Sequence, residues 1–308
     1  KLVKNNLRDT FLTEAIDFGL KIIINCRAEK VEGTHNTAKT LKASTINLRG
    51  EKINLDIAFK HIFICAGSIQ SPLLLRRSRI KQNIGNTIQF HPTLRIVADF
   101  GKPVNAYEEI MPCFQVKEFS PSISMGASVS LPDFIVTGLA INFSENLLHV
   151  KNLKNMAIFY VMIRSRSKGK VRNLPFNSYM VSYKLGKEDV RNLSTGFARL
   201  CQVLFAAGAQ RLFPSIEGLQ VISDPQKADI YLRQMLPLKA LNLMSIHSFG
   251  SCPMGENRQI CAVDSFGKLN NFKNIYVNDG SILPSSPNVN PQGPIMTIAR
   301  RNVLHGFG

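Results

Sequence analysis

Residues 61–65 (HIFIC) form a short, unbroken apolar run that ends in Ala66–Gly67–Ser68 and passes straight into 69–75 (IQSPLLL). No other stretch limits the fold as tightly. A strand without polar alternation is one buried on both faces, the pattern of a parallel sheet covered by helices. The glycine after it allows a tight strand-to-helix turn, and Ser71 followed by Pro72 reads as an N-cap and a first helical residue. An α/β unit is expected here.

The rest of the chain differs in character. Residues 20–28 (LKIIINCRA) read as a β-branched strand. Residues 40–56 alternate weakly around a hairpin turn at Arg49–Gly50. In the middle third, 135–143, 155–163 and 178–183 read as strands. Residues 188–207 read as a helix, with Val190, Leu193, Phe197, Leu200, Val203 and Leu204 at core spacing and Gly208 closing it. Strands followed by such a helix indicate an α+β unit. From residue 245 turn signals multiply, ahead of a short strand at 274–277 and a last helix from about 291 or 294 to 304.

Composition narrows the function classes. The 308 residues correspond to two domains at roughly 150 residues each. With 44% hydrophobic and 19% charged residues the chain is globular rather than disordered. Its 38 Lys and Arg against 21 Asp and Glu leave a net charge of +17. Basic clusters lie at Arg76, Arg77, Arg79 and Lys81, and at Arg164, Arg166, Lys168, Lys170 and Arg172. Neither is interleaved with aromatics as a base-stacking platform would be. A solvated basic surface is expected, and no nucleic-acid partner. No run approaches the roughly 20 apolar residues of a membrane span, and the polar residues 1–10 carry no apolar signal core. The cysteines (Cys26, Cys65, Cys113, Cys201, Cys252 and Cys261) form no CxxC pair. They read as mostly buried thiols, with no metal site.

Two segments carry chemistry: 246–255 (IHSFGSCPMG) and 274–299, which includes VNDGSILPSSPNVNPQGPIMTIA. A histidine in a glycine-rich segment is ordinarily a hydrogen-bonded loop residue. Asn290, however, stands before Pro291 and a helix start, whose first-turn N–H groups point outward with partial positive charge. Such a turn can hold an anion. A histidine base and an asparagine donor beside it would suit removal of a proton and a hydride from an alcohol.

Both segments resemble the C-terminal signature of the glucose–methanol–choline (GMC) oxidoreductases, most closely the branch with cholesterol oxidases and long-chain alcohol oxidases. HSFGSCPMG is similar to that family's H-x-x-G-[TG]-C-x-M-G. Residues 277–301 are similar to its V-x-D-[AG]-S…N-P run, and Ala262–Val263–Asp264 lies between the two as expected. Residues 62–75, 83–92 (NIGNTIQFHP) and 25–31 (NCRAEKV) resemble earlier family segments. Ser251 and Pro294 are mild departures.

The resemblance implies a fold and a set of roles. The fold would be α/β plus α+β: a partial FAD/NAD(P)-binding, Rossmann-like domain with an antiparallel-sheet substrate domain. Its divisions would be 1–99, 100–244 and 245–308. No G-x-G-x-x-G fingerprint stands ahead of these segments, so the N-terminal FAD-binding core is expected to be missing and the chain to be the C-terminal half to about 60% of such an enzyme. His247 would accept the proton of the substrate hydroxyl, and Asn290 would hydrogen-bond its oxygen. Ala28 would meet the adenine of FAD, Asp279 and Gly280 its ribityl–pyrophosphate arm, and Pro291 and Gln292 its ring. His91 would be structural. The substrate would be a small-molecule alcohol, sugar or sterol-like compound, with oxygen, a quinone or a cytochrome as electron acceptor. The alternative is an inactive remnant or interaction module that keeps the fold without the chemistry.

Overall fold

A computed structural model describes residues 6–108, 114–287 and 289–308, so Cys113 and Asn288 lie outside the described residues. In chain order the elements are helix α1 (Thr13–Asp17) and strands β1 (Cys26–Thr34), β2 (Thr37–Ile46), β3 (Lys52–Ala58) and β4 (Ile62–Ile64). Helix α2 (Gly67–Arg77), β5 (Gln89–Phe90), β6 (Thr93–Asp99), β7 (Gln115–Val116), β8 (Ile123–Ala127), α3 (Pro132–Leu139) and α4 (Phe143–Asn146) follow. Then come β9 (Met156–Ile163), β10 (Lys170–Asn173), β11 (Tyr179–Ser182), α5 (Lys187–Ala206) and β12 (Arg211–Pro214). The chain closes with α6 (Pro225–Asp229), β13 (Ser248–Phe249), β14 (Ile275–Val277) and α7 (Gln292–Phe307).

The fold is mixed α/β with mainly antiparallel sheets. β1, β2 and β3 form a meander, with the expected turn at Gly50. β4 and β14 form a parallel pair, Ile62 opposite Ile275 and Ile64 opposite Val277. One core joins the two ends of the chain: Val31, Ile64, Leu75 and Ile84 pack with Cys252, Val263, Ile275 and Val277. Of the three residues of β4 only Ile64 is fully buried. Phe63 stacks on Tyr276 at 5.0 Å and meets Phe307 edge-on at 5.3 Å.

The five-stranded sheet runs in the order β12–β6–β9–β8–β7, all antiparallel. The period of two along each strand divides its faces. Leu94, Ile96, Ile123, Met125, Val161 and Ile163 pack against Leu193, Phe197, Leu200 and Leu204 of α5. Gly196 lets the helix sit close, since a Cβ there would lie 2.4 Å from Val161 Cγ2. On the opposite face Val97, Ile158 and Phe213 are covered by Ile135 and Leu139 of α3. That helix stops short of the end of the sheet carrying Thr93, Arg95, Tyr160 and Met162, and a cavity opens there. β6 is an interior strand of this sheet, between β12 and β9.

Several local expectations are corrected. The strand expected from residue 20 begins at Cys26, and Ile22, Ile23 and Ile24 are exposed. The apolar run at 135–143 is helical: Pro132 at the first turn starts α3, and Ile135, Gly138 and Leu139 share its buried stripe. Helix α2 starts at Gly67, in a left-handed conformation (φ +82°), so Ser71 and Pro72 lie inside it rather than at its cap. Val203 of α5 is exposed. Much of the basic clusters is not free surface. The guanidinium of Arg76 donates to Ile84 O, that of Arg77 to Glu29 O, that of Arg164 to Ser286 O and that of Arg172 to Gly85 O. Of the described thiols Cys201, Cys252 and Cys261 are buried, whereas Cys65 is exposed. No helix among the described residues is long and apolar enough to cross a membrane.

Candidate active site

The two-residue strands β5 and β13 pair antiparallel, Ser248 opposite Phe90 and Phe249 opposite Gln89. Carried one residue further, the same register sets His247 opposite His91. Their rings meet at right angles with Nδ1 of each 3.0 Å apart. Ser245 Oγ tightens the junction, accepting from His91 N at 3.2 Å and donating to His247 O at 2.8 Å.

The hydrogen bonds determine the proton positions. His91 Nε2 lies 2.6 Å from the carbonyl oxygen of Pro287. A carbonyl only accepts, so Nε2 of His91 carries a proton. A neutral His91 then offers Nδ1 as an acceptor, His247 donates from its own Nδ1, and the lone pair of His247 falls on Nε2. Burial pushes His91 down to about 4, with the Pro287 bond opposing and the charges of His247 and Lys117 adding to the depression. Burial also holds His247 below the ordinary histidine value. Both rings are therefore neutral near pH 7. Expected as a structural residue, His91 is indeed 1% exposed, but it contacts the candidate base directly. The sequence carries no local signal for this, because the partner is 156 residues away.

His247 and Asn290 line one cavity of about 640 Å³, together with Thr93, Arg95, Gln115, Tyr160, Met162 and Met244. The structure thus brings the two residues expected to act on substrate to the same space. Pro291 is buried and Gln292 exposed at the start of α7, whose N-terminus no side chain among the described residues caps. A Cβ at Gly293 would meet nothing within 4 Å, so the first turn of α7 is open on that side.

The remaining expected residues cluster at the β4–α2 turn. Asp279 is buried, and its carboxylate is already engaged: Oδ2 accepts from Gly67 N at 2.9 Å and from Ser71 Oγ, and Oδ1 from Ser281 N at 2.8 Å. This carboxylate sits on the N-terminus of α2, where negative charge is favoured. Gly280 is closely packed, because a Cβ would lie 3.2 Å from Ile295 Cδ1 and from Ser248 O. Ala28 of β1 lines a separate cavity of about 440 Å³ with Ala66, Gln70, Arg77 and Tyr179. Among the described residues, no three His, Cys, Asp or Glu side chains are gathered to hold a metal ion.

Comparison with known proteins settles the family. The N-terminal model of the GMC oxidoreductases matches residues 2–93 and the C-terminal model matches residues 165–299. The chain belongs to the GMC oxidoreductase family. Among GMC proteins, it is 37% identical to the uncharacterized GMC-type oxidoreductase y4nJ of Sinorhizobium fredii, over 97% of this chain and 59% of that protein. It is 24% identical to the long-chain-alcohol oxidase FAO4A of Arabidopsis thaliana, over 96% of this chain and 44% of that protein. The chain therefore spans 59% or less of the length of these curated GMC relatives. Its fold is similar to that of pyridoxine 4-oxidase from Mesorbium loti, with a TM-score of 0.68 at 17% identity, covering 97% of this chain and 61% of that one.

Proposed function

We propose that this chain is the substrate-binding and proton-accepting part of an FAD-dependent oxidoreductase that oxidises a small-molecule alcohol. The observation that carries this reading is the His91–His247 contact. It directs the one lone pair left on the two rings to Nε2 of His247, a residue that lines the cavity. Membership of a family that includes a long-chain-alcohol oxidase supports the same reading, and the largely apolar cavity lining suits an alcohol with an extended carbon skeleton. An inactive remnant is not favoured, since the base, the residue that orients it and the asparagine donor are all assembled.

The residues present fit a flavin. The uncapped, open first turn of α7 beside Asn290 and Pro291 suits a ring edge that gains negative charge on reduction. At the β4–α2 turn, Gly67 leaves open space above its Cα, and Ala28 lies on the cavity beside Ala66. Asp279 and Gly280 would contribute there through the shape of the turn, because the Asp279 side chain is occupied. Bound there, FAD would supply the acceptor for the hydride leaving the carbinol carbon.

The protein's own residues account for the rest. His247 Nε2 takes the hydroxyl proton, and the charge this places on the ring is shared with His91, whose Nδ1 accepts from it. The Asn290 amide donates to the developing alkoxide. Loss of one proton and one hydride leaves the carbonyl product. In the full-length holoprotein, His247→Ala should slow flavin reduction by an alcohol about 10²–10⁴-fold. Unchanged reduction kinetics would remove His247 from the mechanism.

A further inference from the structure

Three polar side chains of the main cavity, Arg95, Tyr160 and Gln115, stand in one line. Arg95 of β6 is opposite Tyr160 of β9, Tyr160 is opposite Gly126 of β8, and Gly126 is opposite Gln115 of β7. The row crosses four strands at one level of the sheet. Gly126 keeps it continuous: a Cβ there would lie 3.0 Å from Tyr160 Oη, so the missing side chain is what lets the phenol reach Gln115. Gln115 Nε2 donates to that oxygen at 2.7 Å, which leaves the Tyr160 O–H as a donor.

Arg95 is unlike the other arginines of this region. The guanidiniums of Arg164, Arg172 and Arg211 are each held by a carbonyl or carboxylate oxygen. That of Arg95 has no hydrogen bond or ion pair with any described residue, and no carboxylate is among the described residues that line the cavity. Its neighbours there are mostly apolar, among them Phe114, Val129, Phe134 and Met162. An always-charged group with five donors, set half-buried in an apolar space, is matched by a carboxylate. A doubly charged phosphate would lose more hydration there than one cation returns.

Arg95 also lies at a useful distance from the base. His91, which touches His247, is four residues earlier in the chain, so its Cα lies at most about 14 Å from that of Arg95. Arg95 and His247 both line the cavity, and the reach of their side chains into it shortens the span between them. We infer that Arg95 is the specificity-determining residue of this cavity and that the substrate is a hydroxy acid, its hydroxyl at His247 and its carboxylate, at the far end of an apolar skeleton, paired with Arg95. The inference rests on the alcohol-oxidation reading for the first of these two ends.

The test is calorimetric binding to the full-length holoprotein of hexanoate, octanoate and decanoate against the corresponding primary amides. At least one carboxylate should bind about 10–100-fold more tightly than its amide. Arg95→Met should abolish the difference, Arg95→Lys keep part of it, and Tyr160→Phe, which leaves the charge in place, reduce it less. Equal affinity for acids and amides overturns the inference. So does a preference that Arg95→Met and Arg95→Gln, both shown to be folded by circular dichroism, leave intact, because the anion then sits elsewhere on the basic surface. Turnover of 8-hydroxyoctanoate against octan-1-ol separates the two readings. Oxidation of both with no preference for the acid defeats the hydroxy-acid assignment alone. Arg95-dependent binding of the acids with neither compound oxidised supports the anion site and defeats the oxidation reading.

Discussion

His91 and His247 face each other through their Nδ1 atoms at 3.0 Å, and the Pro287 carbonyl behind His91 determines which of the two donates. A direct consequence concerns substitution at His91. His91→Phe removes the acceptor, so the His247 proton is no longer directed to Nδ1, and flavin reduction should slow about 10–10²-fold. His91→Gln keeps an acceptor oxygen toward His247 and an N–H toward Pro287, so it should retain more activity than the phenylalanine variant. Equal rates for the two would mean that His91 acts only as packing.

With His247 as the proposed base, the same pair gives activity a pH dependence of definite sign. His247 must be neutral to accept a proton, and burial lowers its pKa. The acid limb of kcat/KM should therefore fall at a pH below the ordinary histidine value near 6.5. A limb at or above that value would contradict the assigned environment.

Stability should respond to His91 separately. Its folded-state value of about 4 lies below that of an unfolded histidine. Between pH 6.5 and 4 the unfolded chain binds more protons, so stability declines as pH falls and this contribution levels off below about pH 4. Its full size is about 3 kcal/mol. Denaturant titrations of the wild type and His91→Gln across this range should show the decline shrink in the variant.

Gly196 tests the contact between α5 and the sheet. Alanine improves helix propensity by up to about 1 kcal/mol. Here its Cβ would meet Val161 Cγ2 at 2.4 Å and Ile123 Cγ2 at 3.0 Å, both side chains being buried in the core. The overpacking cost of about 1–3 kcal/mol should prevail. Gly196→Ala should lower the denaturation midpoint, and a raised midpoint would show that the helix can back away.

Asp99, the last residue of β6, provides a further test. Its carboxylate is fully buried and accepts from Gly101 N and from Arg211 Nη2, both at 2.8 Å. Arg211→Met leaves that charge unmatched and should cost about 2–3 kcal/mol, less than a wholly buried pair because Arg211 is partly exposed. Adding Asp99→Asn should recover part of the loss. A double variant no more stable than Arg211→Met would show that the arginine acts through packing alone.

The sequence was most informative where local pattern and long motif agreed. The helix at 188–207, the strand at 155–163 and the turn at Arg49–Gly50 all stand as expected. His247 and Asn290, the two residues expected to act on substrate, line one cavity. The sequence misled where an apolar run was short. Residues 22–24 have strand composition but pair with no strand among the described residues, and 135–143 needed the Pro132 start signal to be recognised as helical. It was silent on interactions that only tertiary pairing creates. The occupation of the Asp279 carboxylate by Gly67 and Ser71, more than 200 positions earlier, is one. The row joining Arg95 to Gln115 is another, because a cross-strand register cannot be read from either strand alone.

The ladder between β5 and β13 is only two residues long, yet it brings together pieces from distant parts of the chain. Neither histidine can set the proton position of its partner before those pieces meet. A chain with its helices and hairpins formed but this ladder open would hold His247 as an ordinary imidazole, its proton shared between two nitrogens. The free lone pair on His247 Nε2 is therefore a product of tertiary pairing and belongs to neither segment alone.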